Sequence, residues 1–468
     1  MEKRTLLGLG TALWAAAFSG TVMLPGRSAV AQDVQPNMLA SSNSTGQLRT
    51  FDADGAVDLK SPFFQDLGTN GRSCVTCHQA ENAWGLSAEN VEARFAASNG
   101  VDPLFSNNDG SNCEGTPAST IDERRAAYSL LLSRGLIRVG LDVPADAEFA
   151  IDSVEDPNGC NPATNDASLY RRPLPAANLR FLSAVMWDGR ESSDTTTILA
   201  DLMKQANDAT RGHAASARDL TTAERKQIVD FELGLFSAQA HDTHAGNLNA
   251  QSAKGGPVSL SRELFFTGIN DPVGLDPSGA PFNQQAFTLF TPWESLASAR
   301  TDPYTDPRRA IARGQQIFNT RSITITGVGG FNGHTFSNGV TVPDSIVGTC
   351  TFCHDTPNVG NHSVKAALNI GLSEPEVAPY LPVYTLRNLS TSATVRTTDP
   401  GRAMITGKWN DIGRFKGPIL RGLASRAPYF HNGSAETLEA VLDFYEKRFQ
   451  IGLSPQERAD LLAFLRAL

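Results

Sequence analysis

The 468-residue sequence predicts a mainly α-helical protein made of two tandem domains, with long loops and insertions. Two repeats predict this class. The string Cys-x-x-Cys-His occurs at 74–78, within "GRSCVTCHQAENAWG", and again at 350–354, within "GTCTFCHDTPNVG". A helix start also recurs, as "LTTAERKQIVDFE" (220–232) and "LSPQERADLLAFL" (453–465). Thr221 with Glu224, and Ser454 with Glu457, have the spacing of a capping box, in which hydroxyl and carboxylate satisfy each other's backbone N–H. Pro455 suits the first helical position. Ile228, Val229 and Phe231 then match Leu461, Leu462 and Phe464 at helical spacing.

Taken in order, residues 1–31 read as an export leader: Lys3 and Arg4, an apolar run, and Ala29-Val30-Ala31 before Gln32 as a cleavage site. The rival is an uncleaved anchor, since the run is marginally long enough to span. Cleavage predicts a soluble, periplasmic protein without membrane association. The formal charge of −9, with no basic run, excludes nucleic acid as a partner. Residues 32–300 form the expected first domain, carrying an insertion at about 86–165. Cys113 and Cys160 sit there in Asn/Asp/Gly-rich loops, and in an oxidising compartment they are expected to pair. "WDGRES" (187–192) roughly echoes "HNGSAE" (431–436). A Gly/Pro-rich connection around 250–310 marks the boundary, and the second domain is 301–468, opened by a helix over 308–318. His241 and His244 read as a solvated helix end.

Cys-x-x-Cys-His carries specific chemistry. Two thiols at this spacing reach the two vinyl groups of one haem, and the adjacent histidine binds its iron. Half a zinc site or a thioredoxin-like pair are the rivals for a single copy. Neither explains the histidine together with the recurrence. The spacing therefore predicts two c-type haems, on Cys74, Cys77 and His78 and on Cys350, Cys353 and His354, and makes each half a cytochrome c-like domain.

"VMWDGRE" (185–191), "FKGPILRGLASRAPYFHNGSAETLEAVLDFY" (415–445) and the paired motifs resemble the bacterial dihaem cytochrome c peroxidases and the related maturation enzyme MauG. The likeness covers most of the chain after the leader and is weakest over 86–165. It implies that hydrogen peroxide reacts at the N-terminal haem, while the C-terminal haem receives electrons from a small cytochrome c, a copper protein or an oxidisable substrate. Trp187 matches the tryptophan between the haems, against a plain core role. Tyr445 matches the second iron ligand of the C-terminal haem, which is methionine in the peroxidases and tyrosine in the MauG type. Its rivals are a core stripe of Leu438, Val441, Leu442 and Tyr445, and Met404 as ligand. Methionine raises a haem potential, whereas tyrosinate favours oxidised iron. Tyr445 therefore tilts the reading towards MauG-like oxidation of a protein or other substrate through a Tyr-ligated, high-valent dihaem. A dihaem electron carrier without peroxide chemistry is the third reading.

For peroxide cleavage the family places a glutamine and a glutamate beyond the tryptophan. Gln205 matches the glutamine, and no glutamate follows in that stretch. His213 stands nearby, as acid–base group or as sixth ligand of the first haem, against a surface histidine. His431 matches the family motif and is expected near the second haem, at a propionate. The family also binds calcium through an asparagine side chain and two carbonyls. These positions fall on Arg172, Arg426 and Pro428, and the cation at Arg172 puts calcium in doubt; Asn178 is the nearest alternative oxygen donor.

Overall fold

Both capping boxes close. Thr221 Oγ1 accepts from Glu224 N at 3.2 Å while Thr221 N donates to the Glu224 carboxylate at 2.7 Å. Ser454 and Glu457 do the same at 3.3 and 2.8 Å. The computed structural model of the chain describes residues 34–160, 162–193, 195–297 and 302–468. The expected leader, residues 1–31, and the expected boundary at 300 and 301 lie outside them.

The elements run in this order. A hairpin of β1 (Val34–Asn43) and β2 (Gly46–Asp58) leads into α1 (Ala88–Ser98), α2 (Ile121–Ala127) and α3 (Ser129–Arg134). Strands β3 (Ile137–Asp142), β4 (Phe149–Glu155) and β5 (Asp166–Arg171) follow, then α4 (Ile198–Gly212), α5 (Thr222–Gly234), β6 (Leu235–Asp242), β7 (Gly246–Asn247) and α6 (Pro257–Leu260). The rest comprises α7 (Thr305–Thr320), β8 (Ile323–Thr326), β9 (Ser345–Gly348), β10 (Ala367–Leu368), β11 (Val383–Asn388), β12 (Thr394–Thr397), α8 (Ala403–Thr406), β13 (Phe415–Lys416), α9 (Leu438–Phe449) and α10 (Pro455–Arg466). No helix of the described residues is long and apolar enough to cross a membrane.

The expectation of a mainly α protein is corrected. Helix makes up 30% and strand 19%, so the fold is mixed α/β. The strands form one sheet of order β1-β2-β6-β7, one of order β12-β11-β4, and three two-stranded ladders. β6 alternates apolar Phe236, Ala238 and Ala240 with polar Ser237, Gln239 and His241, the period of a strand, and is buried along nearly its whole length. The last residues of α5 run directly into it, and His241 lies in this strand rather than at a helix end; His244 follows in the next turn. β4, from the insertion, pairs with β11 of the C-terminal half, Leu386 opposite Ile151. Cys113 and Cys160 are disulfide-bonded, as the sequence predicts.

Two cores flank the haem motifs. One gathers Phe63, Trp84, Phe181, Leu202, Ile228 and Val229 around α4 and α5, and takes in Val359 and Ile419 from the second half. The other gathers Phe287, Phe290, Trp293, Ile311, Phe318 and Phe464 around α7 and α10. Where α7 crosses α10, a Cβ on Gly314 would lie 2.0 Å from the Asp460 carbonyl oxygen. Only glycine lets the backbones approach that closely, and this contact sets Phe318 against His354, ring centroids 5.7 Å apart.

Candidate functional site

Each motif folds as a single tight turn. Cys74–Thr76 and Cys350–Phe352 are 3-10 turns, and His78 N and His354 N donate to Cys74 O and Cys350 O at 3.0 and 3.1 Å. All three side chains of each motif therefore face one cavity. His78 Nδ1 meets the Trp84 carbonyl at 3.1 Å and His354 Nδ1 meets the Gly360 carbonyl at 2.6 Å, each six residues on. A carbonyl only accepts, so Nδ1 carries the hydrogen and Nε2 keeps the lone pair a metal needs. Burial pushes His78 down to about 4 and lowers His354 as well, so both rings are neutral. Burial also pushes the Cys74, Cys350 and Cys353 thiols up to about 12. Zinc sites and redox pairs use thiolates, which these environments disfavour.

The two cavities have volumes of about 170 and 240 Å³ and are partly open to solvent. Their walls are largely apolar: Leu179, Leu182, Leu202 and Ile228 in the first, Leu438, Leu442, Leu461 and Leu465 in the second. Polar atoms without partners remain among the lining residues. Glu232 Oε2 is unsatisfied in the first cavity, and His362 Nε2 and His431 Nδ1 in the second. Lys416 lines both; burial alone pushes its ammonium down to about 7. Buried polar groups of this kind need a counterpart, and an anionic, planar, apolar-faced cofactor supplies one. The residues present therefore fit c-type haem: thiols for covalent attachment, imidazoles for the iron, apolar walls for the ring and buried cations for its carboxylates.

Arg172, Pro173, Leu174, Pro175, Trp187 and Ile419 also line both cavities. Trp187 is held at both ends. Its indole Nε1 donates to Arg172 O at 2.8 Å, and its carbonyl accepts from Lys416 N at 2.9 Å. Arg172 N in turn donates to His431 O at 2.7 Å. The His431 ring stacks on Phe415 at 3.9 Å and meets Trp187 edge-on at 6.1 Å; burial pushes its imidazole down to about 4. Trp187 and Lys416 thus stand at both cavities, and His431 meets Trp187 from the second. Tyr445, on α9, lines the second cavity beside Phe449, and burial raises its phenol. Met404 packs instead with Phe149, Tyr384 and Leu386 and lines neither cavity.

Gln205 and His213, on and just after α4, line the first cavity. His213 Nδ1 lies 2.5 Å from Asp109 Oδ2, and the other Asp109 oxygen accepts from Arg72, immediately upstream of the first motif. Burial works to raise the Asp109 carboxyl, but His213 and Arg72 outweigh it and hold it below the usual range. Sequence reasoning missed Asp109, because its loop, "NNDGSNCEG", announces only a turn and a cysteine. It also missed Glu232. There the signal existed: a carboxylate stands three and four positions after the apolar Val229 and Ile228, on the same helix face, and burial pushes it up to about 8.

Calcium fares differently. Arg172 Nη1 donates to Arg134 O at 2.8 Å, and Nη2 donates to Arg426 O at 3.0 Å and to Leu86 O. Asn178 is tied to Ser237 at both amide atoms, Nδ2 donating to its carbonyl at 2.8 Å and Oδ1 accepting from its N–H at 2.9 Å. Among the described residues no cluster of three His, Cys, Asp or Glu side chains could hold a metal ion. The residues present do not fit calcium.

Comparisons with known proteins agree with this geometry. Residues 414–451 match the family described as RoxA-like, cytochrome c-like. A cytochrome-c peroxidase, IdrP2, of Denitromonas iodatirespirans is 37% identical over 314 residues, 64% of this chain and 68% of that protein. The cytochrome c551 peroxidase of Nitrosomonas europaea is 31% identical over 121 residues, 25% and 30% of the two chains. The methylamine utilization protein MauG of Methylorubrum extorquens is 45% identical over 65 residues, 12% and 18% of the two chains. The extent of the IdrP2 match, with two haem-binding motifs facing two cavities that share one tryptophan, shows that the chain belongs to the bacterial dihaem cytochrome c peroxidase and MauG family.

Proposed function

We propose that the protein is an exported dihaem oxidoreductase that reduces hydrogen peroxide at the haem site on His78, with electrons entering at the site on His354 and passing Trp187. The observation that carries this reading is Trp187 itself, which lines both cavities and is hydrogen-bonded at both ends. Haem, when bound, would relay the donor's electrons to the O–O bond. Two electrons and two protons convert one peroxide to two waters. His213 and Gln205 line the cavity on the His78 side, and an imidazole fixed through Nδ1 by Asp109 leaves Nε2 to take a proton from one peroxide oxygen and return it to the other. Lys416 and His431, which line the second cavity, would bond the carboxylates of bound haem. Residues 32–300 and 301–468 are the two haem domains. Export follows from the leader sequence and suits the Cys113–Cys160 disulfide. The donor is a small cytochrome c or copper protein.

One observation favours a second reading. Tyr445 lines the cavity of His354, and a phenolate ligand there suits MauG-like oxidation of a protein substrate better than transfer from a high-potential donor.

Trp187→Phe tests the proposal. In the half-reduced holoprotein mixed with peroxide, the variant is expected to react at the first haem and to oxidise the second haem more slowly than wild type. Equal rates in both proteins would remove Trp187 from the path.

A further inference from the structure

We infer that the guanidinium of Arg172 is a built-in cation standing where relatives carry calcium, and that it holds Trp187 in place without any metal. The family's side-chain ligand position falls on Arg172 and one of its carbonyl positions on Arg426. Here that carbonyl accepts from the guanidinium at 3.0 Å. Two further carbonyls, of Leu86 and Arg134, accept from the same group. Three backbone segments far apart in sequence thus converge on one side chain, as they would on an ion.

The surroundings are shaped for this side chain. Arg172 is only 6% exposed. A Cβ on Gly135 would come within 2.4 Å of Arg172 Nη1, so Gly135, at φ +61°, leaves the room the guanidinium takes. Among the described residues no carboxylate is seen to pair with it; the neighbouring charge is that of Arg426, while burial pushes the Tyr429 phenol up to about 12 and keeps it neutral. Calcium needs six to eight oxygen ligands. Here the Leu86, Arg134 and Arg426 carbonyls already accept N–H bonds from the guanidinium, and a divalent ion would be placed beside two cations, Arg172 and Arg426.

The consequence for Trp187 is direct. The backbone of Arg172 accepts the indole N–H at 2.8 Å and donates to His431 O at 2.7 Å. Fixing the side chain on three carbonyls therefore fixes the main chain that orients the tryptophan between the cavities. Arg172 is a positioning residue, acting through Trp187.

The test uses the haem-loaded full chain, purified with and without EGTA. Elemental analysis, thermal midpoint and the absorbance of the half-reduced protein are read, then calcium is added to about 1 mM, the weak end of calcium affinities in extracellular modules. Wild type is expected to hold less than one calcium per chain and to show the same midpoint and spectrum throughout. Arg172→Asn removes the cation, frees the carbonyls and supplies an amide oxygen. It is expected to lose the half-reduced spectrum in EGTA and to regain it with calcium. Arg172→Lys keeps a charge but cannot span three carbonyls, so it should show a partial loss that calcium does not repair. Wild type carrying one calcium per chain, or shifting its spectrum between EGTA and calcium, would overturn the inference even if neither variant folds. So would an Arg172→Asn protein that keeps the wild-type spectrum in EGTA. None of these readouts uses peroxide, so failure of the peroxidase reading leaves this result standing, and the reverse.

Discussion

His213 is fixed by Asp109, which is fixed by Arg72. The chain of contacts makes separable predictions. If His213 moves protons for peroxide, His213→Ala should slow the peroxide reaction by about 10²–10⁴, and Asp109→Asn should slow it less while shifting its pH profile. If His213 instead closes the first haem as sixth ligand, His213→Ala should speed the reaction. Stopped-flow absorbance across a pH series reads the sign. Glu232 gives a second prediction. Burial pushes its carboxyl up to about 8, against an ordinary value near 4.3. Between those values the folded protein keeps a proton that the unfolded chain releases, so the contribution of Glu232 to stability is full below about pH 4 and falls as pH rises towards 8. Denaturant titrations should show that decline, and Glu232→Gln should flatten it. The two clusters that face the cavities were legible because Cys-x-x-Cys-His brings all its groups together in five residues. Asp109 and His213 are 104 positions apart, and nothing local announces such a pair.

Among the elements, Arg171 at the end of β5 ties two distant loops. Its guanidinium bonds Asp399 at 2.6 and 2.9 Å and also pairs with Asp188, beside Trp187. All three side chains are at most 3% exposed. Removing one member of a buried ion cluster leaves uncompensated charge, so Arg171→Met should cost about 3–5 kcal/mol, measured by denaturant unfolding. Reduction of Cys113–Cys160, which closes a loop spanning 47 positions, should cost about 2–4 kcal/mol and loosen the loop that delivers Asp109. The closing helices α5 and α10 were legible because each carries its own start signal, Thr221 with Glu224 and Ser454 with Glu457. The strands were not. β10 and β13 are two residues each, too short for any period, and β4 exists only because β11, more than 200 residues later, offers its edge. Local pattern cannot encode a partner that far away, which is why a helical repeat was mistaken for a helical protein.

At the scale of the whole molecule, the repeat has been made asymmetric. Both halves keep the same imidazole geometry, with Nδ1 donating to a carbonyl six residues on. They differ in what else lines each cavity: Gln205, His213 and Glu232 in the first, Tyr445, His362 and His431 in the second. Trp187, Arg172 and Lys416 belong to both. On the proposed reading one side is furnished for proton transfer and the other for holding a closed iron, with Trp187 lining both. The direct test is stopped-flow absorbance of the half-reduced holoprotein mixed with hydrogen peroxide. The account predicts that one haem reacts with peroxide while the other gives up its electron in the same turnover. Two haems that both keep their spectra, or that both react alike and independently, would contradict it.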